Sequence, residues 1–157
     1  APLAGVAALE LGKPVRAADC VASLQRWAKR DAMGIAMFAA MESITATGDD
    51  TFEIKLAKPF GHVLAALGKT GSNVPFMRPE RVAKTDAFAT IEDSTGSGPF
   101  VFAKDEWVPG SKVVYKKFAD YVPRNEPADF MAGGKVVKVD RVEIIGRRSG
   151  LIDGDAV

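Results

Sequence analysis

The chain has 157 residues, of which 47% are hydrophobic and 26% charged, and its formal net charge is +1. These values are typical of a soluble globular protein of about one domain, and the near-neutral charge argues against a nucleic-acid partner or an anionic membrane surface. With one cysteine, Cys20, and one histidine, His62, the chain excludes an intramolecular disulfide and a zinc site of the Cys/His kind.

The first eleven residues are apolar and rich in alanine. They lack the basic segment with which a signal peptide begins, so we do not interpret them as one. We treat residues 1–11 as an atypical N-terminal tail, either a short helix or a poorly ordered segment.

Two helices are predicted next. Residues 12–19 lead into the first helix, whose apolar residues fall on one face at helical spacing: Val21, Leu24, Trp27 and Ala28. The second helix is predicted over 31–41, with an apolar stripe of Met33, Met37, Phe38 and Met41. Methionine at this spacing usually fills gaps in a core, because its thioether side chain is flexible. The alternative is that the stripe forms an adaptable wall of a ligand cleft.

A hairpin and two short helices follow. Apolar and charged residues alternate over 51–56, and this segment is predicted to pair with 43–47 as a half-buried antiparallel hairpin. A short helix is predicted over 59–68 with an apolar face of Phe60, Val63, Leu64 and Leu67. Another is predicted over 79–84, with Pro79 at its first position. Residues 86–95 read as a polar surface loop.

The second half of the chain is richer in strand signals. Residues 96–102 (GSGPFVF), 107–111 (WVPGS) and 113–117 (VVYKK) predict a strand, a Pro-Gly turn and a second strand. A further strand is predicted within 136–145, and a tail without pattern ends the chain. Helices and a hairpin followed by strands predict an α+β, or mixed α/β, fold.

No catalytic residue is predicted. His62 has no nucleophile or orienting partner in a recognisable motif, and Cys20 lies inside a predicted helix. The chain also lacks the G-x-S-x-G pattern of many hydrolases. Paired carboxylates occur only in predicted turns, where the usual role is solvation. A small hydrolase is therefore disfavoured.

Two glycine motifs fail as cofactor sites. Residues 68–70 (GKT) resemble the end of a phosphate-binding loop, but the glycine required five residues earlier is Val63 and the segment follows a helix. Residues 96–98 (GSG) lack the third glycine of a dinucleotide fingerprint, because that position is Val101. We predict no cofactor and no metal.

The order of the motifs resembles the family 5 extracellular solute-binding proteins, the peptide, oligopeptide and nickel receptors of ABC importers. Their pattern is a G-[ST]-G-P-[FY] strand, a W-x-P-G turn, a β-rich segment and an aspartate–tyrosine pair, here Asp120-Tyr121. Residues 12–19 match their G-x-P-[VF]-[TS]-A-x-D segment, and 77–82 match [IM]-x-P-[ES]-x-[VF]. Arg16 replaces the usual Thr or Ser, which predicts a helix start weaker by ~1 kcal/mol.

The resemblance implies a partial lobe I of a type II periplasmic binding-protein fold. Residues 12–95 would be the smaller subdomain of that lobe, 96–145 the start of its β-rich main part, and 146–157 a C-terminal tail. The second lobe would be missing, so the chain is expected to be an internal fragment of the N-terminal half.

The resemblance also implies a function. The chain would be part of a periplasmic substrate-binding component that captures peptides or similar small solutes for a membrane permease, without being an enzyme. Six residues on cleft-side segments are expected to face ligand: Met37, Phe38, Asn73, Val74, Pro75 and Phe76. The alternative is a stand-alone structural or interaction domain that has lost transport and self-associates through exposed edges.

Overall fold

The computed structural model describes residues 8–10, 13–130 and 132–146. Its helices are α1 (Ala17–Trp27), α2 (Ala32–Ala39), α3 (Val63–Leu67) and α4 (Glu80–Ala83). Its strands are β1 (Ala8–Glu10), β2 (Lys13–Pro14), β3 (Met41–Ala46), β4 (Phe52–Leu56), β5 (Phe100–Phe102), β6 (Lys112–Lys117) and β7 (Arg141–Ile145). The mixture of helices and antiparallel strands confirms the predicted fold class.

The strands form three antiparallel groups. β1 pairs with β2, β3 pairs with β4, and a three-stranded sheet has the order β5-β6-β7. In the β3–β4 hairpin Ile44 lies opposite Ile54, and the side chains of β4 alternate between half-buried and exposed as predicted. The three-stranded sheet contains the predicted pair of β5 and β6, with Phe102 opposite Tyr115.

The two predicted tails have different outcomes. Residues 8–10 form a strand, so the short helix expected within 1–11 is wrong there. Residues 1–7, 11–12 and 147–157 lie outside the described part of the chain. Of the predicted 146–157 tail, only Gly146 is described, and its N–H donates to the Ser111 carbonyl at 2.7 Å.

The start of α1 depends on Asp19 rather than on the capping residue. Arg16 occupies the N-cap position with extended backbone, but its guanidinium can only donate hydrogen bonds. The Asp19 carboxylate accepts from the Arg16 N–H at 2.8 Å and from the Glu80 N–H at 2.7 Å. Asp19 therefore closes one half of a capping box and joins α1 to the start of α4.

Helix α2 begins at a buried carboxylate. Asp31 is only 4% exposed, and it accepts hydrogen bonds from the N–H groups of Met33 (3.0 Å) and Gly34 (3.1 Å). The Lys69 ammonium lies 2.7 Å away, and these donors lower the pKa of Asp31. The helix ends at Ala39, two residues before the predicted end, because Met41 already pairs with Leu56 as the first residue of β3.

One hydrophobic core forms under the helices. Its buried members are Leu24, Trp27, Ala28, Met37 and Ala66. Half-buried side chains pack around them: Phe38, Met41, Ile44, Phe52, Phe60, Val63, Leu67 and Met77. The predicted buried position of Leu64 is wrong, since its side chain is 85% exposed and Ala66 points inward instead.

The three-stranded sheet is less buried than the helical part. Phe102 contacts both Trp107 and Tyr115, with ring centroids 5.9 Å apart in each pair. The predicted Pro-Gly turn is confirmed, with Gly110 at φ +74°. β7 starts at Arg141, later than predicted, because the β6 partner strand ends at Lys117, whose N–H bonds to the Asp140 carbonyl. Residues 136–139 pair with no strand in the part of the chain that the structure describes.

Charged residues on one face of this sheet join β6 and β7 to the short turn of Lys104–Glu106. The Glu106 carboxylate accepts from Arg141 and from the Lys116 ammonium, the latter at 2.7 Å. Hydrogen bonds from these two cations lower the pKa of Glu106 to about 2. The carboxylate therefore stays ionised through most of the acid range.

This cluster predicts an acid-sensitive contribution to stability. Because the folded-state pKa of Glu106 lies below that of an unfolded glutamate, its contribution is full above about pH 4.5 and declines as the pH falls toward about 2. Glu106→Gln should remove this part of the pH dependence, as measured by urea unfolding between pH 2 and 6. Glu53→Gln, at an exposed position of β4, is the control for the loss of one negative charge. Identical profiles for Glu106→Gln and the parent chain would contradict the prediction.

Candidate functional site

An open groove lies where α1, α2 and β3 meet, with a volume of about 640 Å³. Its apolar lining comes from the C-cap residue of α1, from α2 and from β3: Ala28, Ile35, Phe38, Met41 and Ile44. Lys29 and Glu42 add charge at the lining, and the Glu42 carboxylate is bound by Lys55 at 2.7 Å. The volume is in the range of small-molecule sites, but the groove is open on one side.

The segment 73–76 runs beside α1 and is fixed at both ends. The Trp27 indole N–H donates to the Asn73 carbonyl at 2.6 Å. Two residues beyond Phe76, the Arg78 N–H donates to the Ser23 hydroxyl at 2.9 Å, and that hydroxyl donates back to the Arg78 carbonyl. Contacts with α1 therefore set the position of this segment.

Between these anchors the segment offers apolar surface to solvent. Asn73 is exposed, Val74 and Pro75 are half-buried, and the Phe76 side chain is 69% exposed. The Phe76 N–H donates to the Val74 carbonyl at 2.9 Å, which makes a tight bend. We call residues 73–76 the apolar strip.

The six residues predicted to face ligand do not share one cleft. Met37 is completely buried, so it fills the core as methionine at this spacing usually does and does not face a cleft. Phe38, the next residue, lines the groove. The apolar strip is not part of the groove lining, and Trp27 is what connects the two regions, since it packs with Met37 and bonds to Asn73.

Sequence reasoning missed two contributors. Ile35 lines the groove together with Phe38, which lies about one turn later on the same helix. The Ile35 side chain is 53% exposed. The sequence does contain a signal for Ile35. It lies three residues before Phe38 and outside the methionine stripe, and residues three apart are neighbours on a helix surface. Trp27 was assigned only to the core, because a hydrogen bond across 46 residues leaves no local pattern.

The described residues show no competing chemistry. None of them form a group of carboxylates, histidines or cysteines suited to a metal ion, and no helix among them is long and apolar enough to cross a membrane. His62 is exposed and packs edge-on against Phe60 at 6.1 Å. The Cys20 thiol is 1% exposed, and its burial and the nearby charge of Asp19 raise its pKa to about 11. It is therefore a neutral core side chain.

Comparison with known proteins gives consistent results. The family model "Bacterial extracellular solute-binding proteins, family 5 Middle" matches residues 12–146. The probable peptide ABC transporter periplasmic-binding protein y4tO of Sinorhizobium fredii is 42% identical over 131 residues, which cover 83% of this chain and 24% of that protein.

Solved structures show the same fold. NikZ from Campylobacter jejuni, crystallised with Ni(L-His), superposes with a TM-score of 0.60 at 20% identity. MoaA from A. tumefaciens R10, crystallised with mannopinic acid, superposes with a TM-score of 0.59 at 27% identity. Each alignment covers 87% of this chain and 25% of the other, so the chain spans about a quarter of the length of these relatives. The chain belongs to the bacterial extracellular solute-binding proteins of family 5.

Proposed function

We propose that this chain is part of the substrate-binding component of an ABC importer, which captures peptides or similar small solutes in the periplasm and delivers them to a membrane permease. The observation that carries the proposal is the family match over residues 12–146. The 42% identity to a probable peptide-binding relative favours peptides as the ligand class. In this role the chain performs no catalysis.

The ligand-facing surface is proposed to be Phe38 and the apolar strip. Phe38 presents a half-buried ring at the groove, and Phe76 presents an exposed ring on the strip. Met37 acts behind them by holding Trp27 in the core. A partly open surface excludes little water, so we expect weak binding until the remaining lobe of the receptor closes over the ligand.

A chimera tests the proposed function. In the Sinorhizobium fredii relative, the segment that matches this chain is replaced by residues 12–146, and both proteins are incubated with a library of tri- to hexapeptides. Native mass spectrometry then identifies retained peptides. The chimera is expected to retain peptides as the parent does. A chimera with the circular dichroism and melting behaviour of the parent, but without peptides that the parent retains, would overturn the proposal.

Phe76 and Phe88 provide a matched pair of exposed aromatic residues within the same experiment. Their side chains are 69% and 70% exposed, but Phe88 lies in a different loop, where it packs against the Arg30 guanidinium. In the chimera, Phe76→Ala is expected to weaken peptide affinity about 5- to 30-fold, the usual effect of removing an aromatic contact. Phe88→Ala should leave the affinity unchanged. Equal losses of peptide affinity for the two substitutions would contradict the assignment of the apolar strip to the ligand site.

One observation favours the alternative, a stand-alone interaction domain. Several apolar side chains of the β-rich part are exposed, including Val101, Ile144 and Ile145 at 51%, 57% and 63%. Apolar residues on a sheet edge are typical of surfaces that associate. In the chimera experiment, this alternative predicts a folded protein that retains no peptide.

A further inference from the structure

Asp31 uses its two carboxylate oxygens for different partners. Oδ1 accepts hydrogen bonds from the N–H groups of Met33 (3.0 Å) and Gly34 (3.1 Å) at the start of α2. Oδ2 accepts a hydrogen bond from the Lys69 ammonium at 2.7 Å. One oxygen therefore caps the helix, and the other binds a residue that lies 38 positions later in the chain.

The Asp31–Lys69 pair is more buried than the ion pairs at the surface. The Asp31 side chain is 4% exposed and that of Lys69 18%. Lys55 and Lys84, which form surface pairs, are 58% and 68% exposed. Exposed pairs contribute little to stability, whereas a buried pair that loses one partner leaves a charge without compensation away from water. The contact with Asp31 is therefore a strong constraint on the loop that carries Lys69.

A second anchor of the same loop lies one helical turn before Asp31. The Asp31 N–H donates to the Trp27 carbonyl at 3.1 Å, so the two residues belong to the same turn at the end of α1. The Trp27 indole N–H donates to the Asn73 carbonyl at 2.6 Å. The corner between α1 and α2 therefore holds the loop at two points, Lys69 and Asn73.

The backbone of this loop contributes few hydrogen bonds of its own. In the described part of the chain, no backbone N–H of residues 69–74 donates to a backbone carbonyl. Ser72 has a φ angle of +63°, a conformation that residues with a Cβ atom rarely adopt. Such a conformation persists where surrounding contacts fix it. We attribute the shape of the loop to its two polar anchors.

We propose that Asp31 and Lys69 are positioning residues for the peptide site: together with the Trp27–Asn73 hydrogen bond, they clamp residues 69–73 and so set the position of the apolar strip. The strip begins at Asn73, so a movement of the loop also moves the strip. The part that this pair plays in ligand binding rests on the proposed function. The clamp itself can be tested without a ligand.

Asp31→Asn separates the clamp from the helix cap. The amide oxygen can accept the two α2 N–H groups as Oδ1 does, whereas the amide nitrogen in place of Oδ2 cannot accept from Lys69. Lys69→Met removes the same contact from the other side. In a variant that does not fold alone, the double variant Asp31→Asn/Lys69→Met takes its place, because it leaves neither charge of the pair without its partner.

Hydrogen exchange of the Trp27 indole proton in the 157-residue chain, followed by NMR, reports on the clamp. In each variant its acceleration should be at least about tenfold greater than that of the Ala28 amide, because the loop leaves the indole without unfolding α1. The Ala28 N–H bonds to the Leu24 carbonyl at 2.9 Å inside the same core, so it reports on opening of the helical part as a whole. Equal acceleration of the two protons, or no acceleration, would overturn the proposal.

Peptide affinity in the chimera tests the consequence for binding. With a peptide that the parent retains, Lys69→Met is expected to weaken affinity about 5- to 30-fold in isothermal titration calorimetry. Lys84→Met, which removes the surface pair with Glu80, should leave the affinity unchanged. Faster indole exchange with full peptide affinity would overturn the positioning role. An unsubstituted chimera that retains no peptide would instead overturn the proposed function, and with it the role of the pair in binding.

Discussion

Trp27→Ala is expected to lower the free energy of unfolding by about 3–5 kcal/mol, the usual cost of truncating a large buried aromatic residue. The Trp27 side chain is 7% exposed and packs in the core with Leu24 and Met37. Its indole N–H also bonds to the Asn73 carbonyl. The substitution therefore opens a cavity in the core and releases one end of the apolar strip. Urea unfolding followed by far-UV circular dichroism measures the loss.

Trp27→Phe separates the two contributions. Phenylalanine keeps most of the ring in the core but cannot donate to the carbonyl of Asn73, an exposed residue. We expect a loss of about 1–2 kcal/mol, together with faster amide exchange at Phe76. Faster exchange is specific to the anchoring role, because a purely packing role for Trp27 would leave the strip amides unchanged.

Trp107 is the matched control for these substitutions. Its side chain is 45% exposed and rests against Phe102 in the three-stranded sheet. Trp107→Ala should cost only about 1 kcal/mol, the value of an exposed aromatic pair. Equal losses for Trp27→Ala and Trp107→Ala would mean that the core does not lie under the helices as described.

The elements that could be predicted are those with a long, unambiguous period. The face of α1 that carries Leu24 and Trp27 is buried as expected, and the β3–β4 hairpin follows its alternation. Errors arose at ends and in short elements. Met41 fits a helix as well as a strand, and its pairing with Leu56 decides the matter. Helix α3 has five residues, too few for the period to assign Leu64 to a face.

The candidate site was less predictable than the fold. The resemblance selected segments of the chain, but it could not separate neighbours such as Met37 and Phe38. Consecutive helical residues differ by about 100° in direction, so one lies in the core and the other at the groove. The Trp27–Asn73 hydrogen bond depends on how a distant loop returns to α1. The hydrophobic periodicity of the sequence does not indicate the path of that loop.

Gly34→Ala is expected to lower the free energy of unfolding by about 1–3 kcal/mol, although alanine is the better helix former by about 1 kcal/mol. A Cβ atom at Gly34 would lie 2.9 Å from the Cα atom of Ala28 and 3.0 Å from the Trp27 ring. The Ala28 atom belongs to the backbone and cannot rotate away. Helix α2 would have to move from α1, so the steric cost exceeds the gain in helix propensity.

Gly61→Ala is the control, because no heavy atom lies within 4 Å of a Cβ atom built there. It should change the free energy of unfolding by less than about 0.5 kcal/mol. In a Trp27→Ala background, the cost of Gly34→Ala should fall, because the ring contact is gone and the two positions are coupled. A stabilising effect of Gly34→Ala in the parent chain, measured by urea unfolding, would mean that α1 and α2 do not approach each other closely at this point.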